Sequence, residues 1–153
     1  MASNLLLLLL FFNAGLILTS LPSTTPATPN HLMQSEFMPV GYTFTYGEYK
    51  FAMQADCNAY FSNKTLTIWQ TNLNYDGARN RCRLVILSNC NIVILSDFLG
   101  TVLWGSDTQQ DVDTACYIEV TEHLILYKAD RTMLWVDGQK VGALNNVGAN
   151  SRV

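Results

Sequence analysis

The sequence predicts an all-β domain made of three copies of one unit, and three observations carry that prediction. Cys57-Asn58 followed by Ile68-Trp69, Cys90-Asn91 followed by Leu103-Trp104, and Glu122-His123 followed by Leu134-Trp135 repeat one layout along the chain. Each copy has an alternating stretch, a loop with Gly, Asn or Asp, a short apolar stretch ending in Trp, and a polar connection. Nothing between residues 30 and 140 keeps a helical period for two turns, whereas Val, Ile, Thr, Tyr, Phe and Trp dominate the strand candidates. One copy cannot cover its own Trp side, so three copies packed about a common axis, with Trp69, Trp104 and Trp135 meeting in the core, resolve the burial. Such rings also stack on sugars, but each one here is flanked by apolar residues on its own short strand, which favours packing.

Length and composition fit a single domain. The chain has 153 residues, and 49% apolar against 14% charged residues argues against disorder. Residues 5–18 are almost wholly apolar and lead into small residues and prolines, the pattern of a secretory signal. Thr25-Pro26-Ala27 offers small residues for cleavage, with Ser20 and Ser23 as alternative sites. The run is short for a membrane span, although it has no Lys or Arg before it and an anchor is the other reading. The expected organisation is therefore a signal peptide over 1–27, a domain over 28–142 and a tail over 143–153, with no membrane span after signal removal and a secreted or vacuolar destination. Nine basic and twelve acidic side chains give a net charge of −3 with no basic run, so nucleic acid is not an expected partner. Cys57, Cys82, Cys90 and Cys116 all lie in the exported portion, where an even count implies disulfides, and no Cys/His spacing suggests a metal. Asn63-Lys64-Thr65 is an N-glycosylation sequon.

The stretch Phe-Ala-Met-Gln-Ala-Asp-Cys-Asn-Ala-Tyr-Phe-Ser at 51–62 holds the most informative polar residues. Gln54, Asp56 and Asn58 fall at every second position, which a strand aligns on one face, with Met53, Ala55, Cys57, Ala59 and Phe61 toward the core. Asp56-x-Asn58 also resembles the start of a calcium loop, but Tyr60 and Phe61 occupy the next ligand and the required Gly positions, so no metal is expected. No nucleophile motif surrounds His31 or His123, and neither an enzymatic role nor a cofactor is expected.

Gln-x-Asp-x-Asn-x-Val-x-Tyr, three times at this spacing and each followed by a Trp strand, is the signature of the monocot mannose-binding, bulb-type lectins, and this chain resembles them. The resemblance runs from Leu32 to about Gly142 and rests on Tyr46-Gly47, Met53-Gln54, Asp56-Cys57-Asn58, Ile68-Trp69, Cys82 and Trp104-Gly105-Ser106. It implies a β-prism of three four-stranded sheets about a pseudo-threefold axis, one sugar site per sheet, and homodimers or higher oligomers that exchange C-terminal strands. It also implies the roles of the motif: Asp and Asn hold the axial C2 hydroxyl of mannose, Gln the C3 hydroxyl, Tyr the C4 hydroxyl, and Val packs on ring carbons.

Carried onto this chain, the first copy keeps Gln54, Asp56 and Asn58 but has Tyr60 where Val belongs and Ser62 where Tyr belongs. The second reads Leu87, Asn89, Asn91, Val93 and Leu95, and the third Glu119, Thr121, His123, Ile125 and Tyr127. The expected function is a lectin with one weakened site, at Gln54, Asp56, Asn58 and Tyr60, and two inactive ones, with mannose-containing glycans as weak or lost ligands. The alternative is a relative without sugar binding that acts in storage, defence or protein contacts. Cys57 and Cys82 stand at the family's paired positions, and pseudo-symmetry then implies Cys90 with Cys116.

Overall fold

A computed structural model describes residues 30–75, 81–96, 100–111 and 113–142. The expected signal peptide and C-terminal tail lie outside the described residues. Among the described residues thirteen strands follow in chain order: β1 (His31–Met33), β2 (Phe37–Pro39), β3 (Thr43–Tyr46), β4 (Tyr49–Met53), β5 (Ala59–Asn63), β6 (Leu66–Gln70), β7 (Cys82–Ile86), β8 (Ile92–Ser96), β9 (Thr101–Gly105), β10 (Cys116–Val120), β11 (Leu124–Lys128), β12 (Met133–Val136) and β13 (Gln139–Lys140). They form three antiparallel sheets, ordered β3-β4-β5-β6, β2-β7-β8-β9 and β1-β10-β11-β12-β13. The expected prism of three four-stranded sheets is present, and the third sheet carries β13 as a short fifth strand hydrogen-bonded to β12 of the same chain.

The pseudo-threefold relation extends to individual residues. Each sheet has a bulge at one place, between Phe61 and Ser62, Ile94 and Leu95, and Leu126 and Tyr127. The first residue of each pair is fully buried and lies opposite the repeat's tryptophan: Phe61 opposite Trp69, Ile94 opposite Trp104, Leu126 opposite Trp135. Side chains opposite each other in a ladder share a face, so all three indoles point inward. Trp69 packs edge-on against Trp104 (centroids 5.0–5.5 Å for its two contacts) and against Trp135, as aromatic quadrupoles prefer. Of the three only Trp135 is fully buried; Trp69 and Trp104 are partly buried and pack against the core. Around them Leu32, Met38, Phe44, Phe51, Leu84, Ile118 and Leu124 complete the core.

Both expected disulfides form, Cys57–Cys82 and Cys90–Cys116, closing segments of 25 and 26 residues and joining the first sheet to the second and the second to the third. Each restricts the unfolded chain enough to add about 2–4 kcal/mol.

The alternating stretch at 51–62 is not one strand. The chain leaves β4 at Met53, turns through 54–58 and re-enters the sheet at Ala59. Turn chemistry prevails over alternation: Asp56 Oδ1 accepts the Asn58 N–H (3.0 Å), an Asx-type closure, and Cys57 adopts φ +66°. Ala55, expected on the core face, is exposed at the tip.

The hairpin joining β12 to β13 turns on Asp137-Gly138, with φ of +46° and +93°. Gly138 lies against Trp69, and a Cβ there would overlap the indole. Gly138→Ala therefore combines an unfavourable φ with displacement of a core indole. We expect it to lower stability by about 2–5 kcal/mol, read by denaturant unfolding, with the near-ultraviolet signal of the tryptophans altered in the folded state.

Candidate functional site

In each sheet the hairpin tip between the second and third strands sits above the Trp strand, and a short polar side chain two residues after the Trp ties tip and strand together. In the first sheet Thr71 Oγ1 accepts the Ala59 N–H (3.0 Å) and donates to Asn58 Oδ1 (2.6 Å). In the second, Ser106 Oγ accepts the Ile92 N–H (3.0 Å) and donates to Asn91 Oδ1 (3.0 Å). In the third, Asp137 Oδ1 accepts the Leu124 N–H (2.7 Å) and Oδ2 pairs with His123 Nδ1 (2.6 Å). The backbone makes the same return bond each time, from the N–H of Thr71, Ser106 and Asp137 to the carbonyls of Ala59, Ile92 and Leu124. Sequence reasoning named Ser106 only as part of the resemblance and missed the tying role of all three, although the signal is there: Trp-x-Thr, Trp-x-Ser and Trp-x-Asp.

The first tip brings together the residues the motif singled out. Gln54 N–H donates to the Asn58 carbonyl (2.8 Å), so the two amide side chains face each other across the turn. Asn58 is buried and anchored at every side-chain position: Thr71 holds Oδ1, while Nδ2 donates to Gln54 Oε1 (3.5 Å) and Gln70 Oε1 (3.4 Å). Asp56, half-buried, spends Oδ1 on the Asn58 N–H, and among the described residues its Oδ2 has no partner. Beyond the tip, Tyr60 lies between Ala52 and Gln70 in the ladder, with Lys50 Nζ 5.7 Å from its ring centroid. Ser62 follows, buried between Lys50 and Thr67. The surface beyond the tip thus continues as the Tyr60 ring with the Lys50 ammonium over it, where the family motif has a Val, and the motif's Tyr is replaced by the small, buried Ser62.

The other two tips carry different chemistry. In the second, Leu87 stands in the place of Gln54, Asn89 Oδ1 accepts the Asn91 N–H (3.2 Å) in the place of Asp56, and Val93 and Leu95 continue the face. The turn geometry survives, with Cys90 at φ +64°, but its carboxylate is gone. Asn91 Oδ1 also accepts the Thr108 N–H (3.2 Å), which commits it to the loop after Ser106.

The third tip is two residues shorter. Thr121 N–H donates to the His123 carbonyl (2.8 Å), the bond that Gln54 makes to Asn58, and Thr121 Oγ1 also accepts the His123 N–H (3.1 Å). Thr121 therefore stands in for both Gln54 and Asp56. Equal spacing places Glu119 at the counterpart of Gln54, but the ladder sets it opposite Ile125, where Ala52 stands opposite Tyr60. Glu119 instead pairs with Arg131 (3.4 Å), whose guanidinium lies over Tyr127, itself stacked on Tyr117. Nearby, Asp130 accepts the Thr132 N–H (2.9 Å), a bond that holds its carboxyl below the usual carboxylate range.

Among the described residues no group of three His, Cys, Asp or Glu side chains is placed to hold a metal. Asn63 ends β5, and Lys64 and Thr65 form the exposed turn into β6, with Lys64 paired to Glu48 (2.9 Å).

Thr71 links the tip to the Trp strand through two bonds made in a buried place. Thr71→Val keeps the shape, removes both, and leaves the Ala59 N–H and Asn58 Oδ1 without partners. We expect a loss of about 2–4 kcal/mol in unfolding free energy, whereas the same change at the exposed Thr67 shifts it by less than about 0.5 kcal/mol.

No protein-family model and no curated protein sequence matches the chain. Solved structures do. A monomeric monocot mannose-binding lectin from Gastrodia elata superposes with a TM-score of 0.64 at 24% identity, over 74% of this chain and 100% of that one. A lectin from Allium sativum gives 0.58 at 24% identity, over 65% and 93% of the two chains. The mannose-specific agglutinin of snowdrop, solved with methyl-α-D-mannoside, gives 0.53 at 25% identity, over 71% and 88%. With its three sheets, its three tryptophans and its repeated hairpin tips, the chain has the fold of the monocot mannose-binding lectins.

Proposed function

We propose that this protein is a lectin with a single hexose site at the first hairpin tip, formed by Gln54, Asp56, Asn58 and Tyr60, and that mannose is its ligand. One observation carries the reading: of the three tips, only the first combines two facing amides with a carboxylate oxygen, Asp56 Oδ2, that has no partner among the described residues. An axial hydroxyl donates to that oxygen while the Gln54 amide reaches its neighbour, a donor and acceptor pair suited to adjacent sugar hydroxyls. The second and third tips, with Leu87 and Asn89 or with Thr121 and His123, are not hexose sites in this reading. The solved relatives that bind mannose or methyl-α-D-mannoside support the class of ligand by fold. Passage through the secretory pathway and a glycan on Asn63 belong to the same proposal, supported by the apolar leader, the two disulfides and the exposed sequon turn; a homo-oligomer is proposed on the family resemblance alone.

A second reading, a relative that acts through protein contacts or storage and binds no sugar, draws on the same tip. Tyr60 and Lys50 occupy the space where the family motif keeps a small apolar contact.

Calorimetric titration with methyl α-mannoside and methyl α-glucoside separates the two. We expect a Kd near millimolar, about −4 kcal/mol, for the mannoside, weaker binding of the glucoside, and loss of the mannoside signal in Asp56→Ala. A folded protein that takes up neither sugar, or an Asp56→Ala variant that binds as well as the parent, refutes the lectin reading.

A further inference from the structure

The first tip differs from the other two at the residue that follows the tryptophan. Gln70, Gly105 and Val136 occupy equivalent ladder positions, opposite Tyr60, Val93 and Ile125. The side chain at this position reaches the tip amide: a Cβ built on Gly105 would lie 3.6 Å from Asn91 Nδ2. Only in the first sheet is that space filled by a polar group, and there Gln70 Oε1 accepts from Asn58 Nδ2 (3.4 Å). Gln70 is held in this pose from its other end, because Gln70 Nε2 donates to Asn72 Oδ1 (2.6 Å), and Asn72 stands at φ +55°.

The consequence follows from the hydrogen-bonding capacity of one amide. Asn58 Nδ2 has two hydrogens, one directed to Gln54 Oε1 and the other to Gln70 Oε1, and Thr71 occupies Oδ1. Gln54 is one of the groups expected to turn toward a sugar, so the bond from Gln70 is the one that takes the Asn58 donor out of use. We propose that Gln70 is a built-in competitor for the first site: its carboxamide oxygen occupies one of the two Asn58 Nδ2 hydrogens, and a hexose gains that donor by displacing it. The proposal rests on the reading of this tip as a hexose site. Gln70 is exposed, so displacement needs no movement of the core. It makes Gln70 a residue that sets affinity, in addition to the changes at positions 60 and 62.

The test is a titration of methyl α-mannoside into the parent protein, Gln70→Ala and Asn72→Gly, with thermal unfolding to confirm that each is folded. Asn72→Gly keeps the positive φ and removes only the anchor of Gln70, which covers the case in which Gln70→Ala folds poorly. Removing one competing hydrogen bond is expected to tighten binding by roughly threefold to tenfold in Gln70→Ala, with a smaller gain in Asn72→Gly. If the parent binds and neither folded variant binds more tightly, the competitor role is wrong and the hexose site stands. If none of the three binds the mannoside, both the site and the competitor role fall.

Discussion

The bonds made by Thr71, Ser106 and Asp137 are the constraint on which the rest of the structure depends. Each tryptophan is fixed on the inner face by the core, and the residue two positions later is therefore fixed on the same side of its strand, directly beneath the neighbouring hairpin tip. A short polar side chain at that point satisfies the first N–H of the third strand and grips the last residue of the turn. The tip can thus be irregular, with Cys57 and Cys90 at positive φ, and still be rigidly placed over the core. The two disulfides begin at these cysteines and tie each tip to the first strand of the next hairpin, Cys57 to Cys82 at the start of β7 and Cys90 to Cys116 at the start of β10. Burial of tryptophan, closure of the turn and connection between sheets are parts of one repeated device.

Because backbone bonds and one buried hydroxyl or carboxylate hold the tip, the outward-facing residues are released from structural duty. Leu87 replaces Gln54 and Asn89 replaces Asp56 without changing the turn. The third tip goes further, dropping two residues and exchanging the amide and hydroxyl pair for His123 and Asp137. The exchange is concerted: a carboxylate suits a ring nitrogen as partner and still accepts the Leu124 N–H. One scaffold therefore presents three chemically different tips, and only the first retains a carboxylate and two amides together.

The repeat was legible in the sequence because its largest residue marks it. Three tryptophans with apolar neighbours gave the number of sheets, and the cysteines, read through the family resemblance, gave the pairing that the structure contains. The polar row at 54–58 was legible as a group but not as a shape. Period-two spacing is common to a strand and to a five-residue turn whose ends face each other, and only the Asx closure by Asp56 and the left-handed Cys57 decide between them. The shortened third tip was hidden for a related reason: counting back by twos from Ile125 passes over a turn whose length is not fixed by the pattern, which puts Glu119 out of register. The tying role of Thr71, Ser106 and Asp137 was not legible because small polar residues after a strand read as loop. Gln70 escaped notice because its role depends on Asn58 twelve residues earlier.

The central claim is that a common scaffold carries one tip with sugar-binding chemistry and two without it. Backbone amide shifts followed by 15N NMR during addition of methyl α-mannoside address it directly, since every tip reports separately in one experiment. The account predicts shifts concentrated at 54–60 and 70–72, with the amides of 87–91 and 121–123 unmoved at sugar concentrations that saturate the first set. Shifts centred on Asn89 and Asn91 or on Thr121 and His123, with the first tip silent, would contradict it.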